Sequence, residues 1–65
     1  MFSEETTVQL LSERLRSAAS DSDKLGLLIA EKNWQNPDQL DVLSNIRVRY
    51  EALADELRLA LALFE

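Results

Sequence analysis

Four close pairs of carboxylates, Glu4/Glu5, Asp21/Asp23, Asp38/Asp41 and Asp55/Glu56, are the residues of this sequence best equipped for chemistry. Paired acids can divide the work of general acid and base, or share a hard cation, but each role needs company. Here no pair has a histidine, a nucleophile or a glycine-rich loop beside it, and the 65 residues contain neither histidine nor cysteine. That removes imidazole acid–base chemistry, thiolate nucleophiles, disulfides and the usual zinc ligand sets together. The Glu-x-x-His arrangement of di-iron helical bundles goes with them. The serines between Ser17 and Ser22 have no adjacent base, and Tyr50 falls on an apolar stripe that makes it a core residue with its hydroxyl at the edge. The carboxylates read as solvated helix faces and helix caps. No enzyme activity, cofactor or metal is expected.

Charge narrows the partners further. The net charge is −5, and the seven basic residues, Arg14, Arg16, Lys24, Lys32, Arg47, Arg49 and Arg58, are scattered. Nucleic-acid binders concentrate lysine and arginine into a patch that displaces counterions. Arg47 and Arg49 stand two residues apart and so diverge on a helix, which makes nucleic acid an unexpected partner. The acidic "MFSEETT" lacks the basic stretch and apolar run of a signal peptide. The stretch "LRLALALF" is far shorter than the ~20 residues a spanning helix needs. A soluble, cytoplasmic protein is the expectation.

These side chains must be positioned by helices. Composition is 46% apolar and 29% charged with one glycine and one proline, too ordered for a tail and too poor in turn residues for a β fold. Val8, Leu11, Leu15, Ala18, Ser22, Leu25 and Ile29 recur at alternating spacings of three and four, and Leu43, Ile46, Tyr50, Leu53, Leu57, Ala60 and Phe64 do the same. Such stripes mark amphipathic helices that pack along their length in coiled-coil fashion. The fold class is therefore all-α: one domain, residues 1–65, built as an antiparallel helical hairpin. The first helix is expected over about 4–32, the turn over 33–36 and the second helix over about 37–64.

The corner residues are Asn33, Trp34, Asn36, Pro37 and Gln39. Ser3 or Thr6 can cap the first helix, Thr6 with Gln9 forming a capping box, and Glu4 and Glu5 suit the positive end of its dipole. Lys32 suits the last carbonyls and Asn33 is a candidate left-handed terminator. Asn36 is the expected N-cap of the second helix, with Pro37 at the first helical position and Gln39 closing a second box. Trp34 reads as a plug over the end of the seam, against Leu40, with partner recognition as the alternative. The weak place is "SAASDSDKLG", residues 17–26, where poor helix formers put either a loosened middle or a break near residues 20–23 into the first helix.

A two-helix hairpin has only one seam, yet this sequence has apolar residues to spare. Leu10, Leu27, Leu28, Val42, Leu59, Leu61 and Leu63 lie outside the stripes and are the candidate partner-binding residues, joined by Val48. An apolar surplus of that kind marks an interface, either with a second copy or with another protein. Phe64 belongs to the seam or to that interface.

The stretch from Glu31 to Phe64, carried by "QNPDQLDVL" and "YEALADELRLALAL", resembles the small co-chaperones of type III secretion needle subunits. Members of that family are short and nearly all helical, with a turn of proline, an acidic or polar residue and glutamine, followed by a helix rich in alanine, leucine and isoleucine. The resemblance covers about half the chain. It implies a non-enzymatic role in the bacterial cytoplasm, as part of a virulence apparatus: binding a tetratricopeptide-repeat chaperone and keeping the needle subunit soluble and unpolymerised. Needle subunits share the helix–turn–helix form, but the expected polar, basic carboxyl-terminal tail is replaced here by "ALFE". The competing expectation is a homodimeric four-helix bundle, acting as an adaptor or regulator by helix-in-groove contacts.

Overall fold

A computed structural model of the chain describes residues 3–31 and 33–64. It consists of two helices, α1 (Glu4–Glu31) and α2 (Pro37–Ala62), packed against each other as a hairpin. Two cross-helix pairs set the direction: Ser22 meets Glu51, and Gly26 meets Arg47. As the α1 position advances by four residues the α2 position retreats by four, so the helices run antiparallel.

Helix α1 is continuous through residues 17–26, with no break near residues 20–23. Small side chains in this stretch, one of them the poor helix former Ser22, are what α2 packs against. Ala18 is 3% exposed and Ser22 5%, the two buried positions of α1. Packing there offsets a propensity deficit of a few tenths of a kcal/mol per residue. Ser3 caps the helix: the Thr6 amide donates to Ser3 Oγ at 3.1 Å and the Thr7 amide to the Ser3 carbonyl at 3.0 Å. Thr6 thus sits inside the first turn, its hydroxyl 2.9 Å from that of Ser3, and of the two candidate caps Ser3 takes the role.

At the corner, Asn36 adopts extended backbone and its Oδ1 accepts the Asp38 amide at 2.9 Å, with Pro37 opening α2. Gln39, expected to return a bond to Asn36, instead lines a hollow with Trp34, Asp38, Val42 and Leu43. Asn33 is not the left-handed terminator expected of it, since no described residue other than glycine has positive φ. The exposed carbonyls at the end of α1 are met differently: the Trp34 indole N–H donates to the Ile29 carbonyl at 3.2 Å. Lys32 lies outside the described residues. The far end of α2 tightens after Ala62, where the Leu63 and Phe64 amides donate to the carbonyls of Ala60 and Leu61.

The seam itself is thin. Ala18, Ala54 and Leu57 form its buried centre, with Leu11, Leu15 and Tyr50 packed around them. On α2 the stripe expected from a strict heptad is corrected here. Ala54 is 3% exposed while its neighbour Leu53 is 43% exposed, and Phe64 falls beyond the helix with 37% exposure. A straight helix drifts by about 20° per heptad, so a seven-residue repeat slides off the contact line within three repeats. The contact line follows Tyr50, Ala54, Leu57 and Leu61, and Ile46, Leu53 and Ala60 are left to one side of it. The outcome is a slab measuring 48 × 20 × 14 Å with a radius of gyration of 15.0 Å. A compact domain of this length has a radius near ~11 Å.

Candidate functional site

The two flanks of this slab differ in chemistry. On one flank, Asp21, Lys24, Leu25 and Leu28 of α1 meet Ile46 and Tyr50 of α2 around a hollow of about 340 Å³. A second hollow of about 260 Å³ continues along α2 between Ile46, Arg49, Tyr50 and Leu53. Helical spacing puts Leu10 on the same side of α1 as Leu28, and Val42 and Ala60 on the same side of α2 as Ile46 and Leu53. This flank is an apolar strip along the molecule, and its two hollows place one carboxylate, Asp21, with Lys24 and Arg49.

The other flank is polar. Ala19, Ser22, Asp23, Glu51, Ala54, Asp55 and Arg58 surround a hollow of about 280 Å³. Ser22 Oγ donates to Glu51 Oε1 at 3.4 Å, and Arg47 Nε pairs with the same oxygen at 3.5 Å. Farther along, Arg58 bridges to Asp55 at 2.8 Å. The two ion pairs are exposed and join residues one helical turn apart, worth a few tenths of a kcal/mol each, whereas the Ser22–Glu51 bond crosses between the helices. Their role is to close this side of the hairpin with solvated side chains.

Arg47 and Arg49 are thereby separated onto opposite flanks, as their spacing implied. The carboxylates are dispersed in the same way, and among the described residues no group of three or more acidic side chains is placed to hold a metal ion. No helix of the described residues is long and apolar enough to cross a membrane. No family model matches the chain, and no curated protein or solved structure is significantly similar to it. The site must be judged on its own geometry.

That geometry divides the candidate partner-binding residues. Leu10, Leu28 and Val42 are exposed and belong to the apolar flank. Leu61 is partly buried, in register with Ala54 and Leu57. Leu27, Leu59 and Leu63 project from the outer faces, the last two 71% and 85% exposed, and Val48 is exposed as well. The residue missed by sequence reasoning is Leu53, assigned to the seam but 43% exposed; Leu25 and Ile46, also assigned to the seam, are partly buried and line the hollow at its edge. The signal that could have found Leu53 is the width of the α2 apolar arc: Ile46, Tyr50, Leu53, Leu57 and Leu61 cover more of the helix than one partner can bury.

Proposed function

We propose that the chain is a non-enzymatic adaptor that works by laying its apolar flank against another protein. The observation that carries this reading is the imbalance of the hairpin: among the described residues three apolar side chains are buried, whereas Leu10, Leu28, Val42 and Leu53 stand exposed along one flank. Exposed apolar strips rimmed by polar side chains are a hallmark of protein interaction sites. The absence of histidine and cysteine and the dispersal of the acids leave contact, not catalysis, as the activity this surface supports.

The specific form of the proposal rests on the resemblance of residues 31–64. In that form the chain is a bacterial cytoplasmic co-chaperone that docks on a helical-repeat chaperone and helps to keep a type III secretion needle subunit from polymerising. The physics of the role suits a thin hairpin. A chain with little core of its own gains stability from a partner that binds only its folded form, by about 2.7 kcal/mol at a hundredfold excess over Kd. Thermal unfolding of the chain with and without a helical-repeat chaperone from a type III system tests it. A rise of several degrees in Tm is expected; an unchanged Tm at saturating chaperone would exclude the co-chaperone role.

A further inference from the structure

We infer that, without another partner, the apolar flank is covered by a second copy of the chain, two hairpins packing flank to flank as a two-fold symmetric four-helix bundle. This goes beyond the adaptor reading and does not rest on it.

Area is the first argument. The chain exposes 5275 Å². A folded monomer of its 7.4 kDa mass is expected to expose about 4,200 Å². The excess, about 1,000 Å², is close to the ~800 Å² that each partner contributes to a stable interface of standard size. A contact of that size would bring the exposed area of each chain down to about 4,500 Å². The flank of a slab 48 Å long is large enough to supply it.

Charge is the second. The chain carries five more acidic than basic groups, so two copies repel each other at most approaches. The apolar flank departs from that balance: its hollows are lined by Asp21 against Lys24 and Arg49. The polar flank has Asp23, Glu51 and Asp55 against Arg58 around its hollow. A two-fold contact must be complementary to itself. Around its hollows the apolar flank brings both signs together without an acidic surplus, so two copies can approach there with little net repulsion.

Geometry is the third. Each helix of the hairpin has one neighbour; stacking two slabs gives each helix two, the arrangement of a four-helix bundle. The wide apolar arc of α2 then has a use for both of its edges, one inside the hairpin and one between copies.

Sedimentation equilibrium of the full chain over about a hundredfold range of concentration, paired with thermal unfolding over the same range, tests the inference. The expected result is a mass rising from one chain towards two, with a Tm that rises alongside. Leu53→Glu, at a position exposed enough in the single chain to keep the new charge hydrated, is expected to weaken association tenfold or more, and Leu28→Glu likewise from α1. Val48→Glu is expected to change it by less than about twofold, as for a residue outside a binding core. A monomer at every concentration with a constant Tm overturns the inference, and so does a dimer that survives Leu53→Glu but is dissolved by Leu59→Glu. The wild-type concentration series decides the matter even if a variant fails to fold. A monomer that still binds a helical-repeat chaperone leaves the adaptor reading standing, whereas a dimer that ignores the chaperone removes that reading alone.

Discussion

The guanidinium of Arg47 lies across Gly26, occupying space 3.1 Å from where a β-carbon on that glycine would stand. Arg47 also pairs with Glu51, which in turn accepts the Ser22 hydroxyl, so one small residue on α1 admits a side chain that ties the polar flank. Glycine in mid-helix costs about 1 kcal/mol relative to alanine. Gly26→Ala recovers that propensity but pushes the guanidinium aside by a few tenths of an ångström. Because Arg47 is long and nearly half exposed, it can yield. The variant should therefore be more stable by about 0.5 kcal/mol in urea unfolding, the propensity gain less a small strain. In an Arg47→Ala background the gain should grow towards the full propensity difference.

Ser22 sits in the seam with 5% exposure, beside a centre built from alanines. Its partner Glu51 is about half exposed and keeps its hydration if the hydroxyl is removed. Ser22→Ala therefore strands no polar group and improves helix propensity, and should stabilise the protein by ~0.5 kcal/mol. Ser22→Leu overfills the same place and should cost about 1–3 kcal/mol. Midpoint shifts in urea at an unchanged slope check both.

The register of α2 can be tested by two substitutions side by side. Ala54→Leu drives a large side chain between helices held close by Ala18 and Ala54, and should destabilise by about 1–3 kcal/mol. Leu53→Ala removes a side chain that is already 43% exposed and should cost under ~1 kcal/mol. The opposite order would restore the strict heptad stripe.

At the corner, Asn36→Ala removes the oxygen that receives the Asp38 amide and should cost about 1 kcal/mol, with Asn36→Asp retaining most of the stability. Trp34→Phe keeps an aromatic ring but deletes the indole donor to the Ile29 carbonyl, and should also cost about 1 kcal/mol. Thermal unfolding of the single variants checks both values, and the double variant measures the coupling between two residues this close.

Comparing pattern with structure, the hairpin was legible because its signals are local. Asn36-Pro37 opens a helix wherever it falls in such a context, and two amphipathic stripes joined by a short corner leave an antiparallel pair as the natural outcome. The N-terminal cap was narrowed to two residues for the same reason. What escaped was the set of contacts decided by distance between the helices. Ala54 carries little hydrophobic signal beside Leu53, yet the close approach at Ala18 needs its small volume. Trp34 could not be placed because its partner is a backbone carbonyl, which no side-chain pattern reveals. The exposed apolar flank was half legible: Leu10, Leu28 and Val42 stood outside the stripes, while Leu53 was hidden by a stripe that drifts away from it.

The central claim is that the apolar flank, and not the polar flank or the outer faces, is the working surface. Titration of a helical-repeat chaperone of a type III system against the wild-type chain, Leu53→Glu and Val48→Glu, followed by calorimetry, tests it most directly. The account predicts that Leu53→Glu weakens binding by at least about tenfold, as burying an uncompensated charge requires, with Val48→Glu within about twofold of wild type. Binding that is indifferent to Leu53→Glu and lost on Val48→Glu would contradict it.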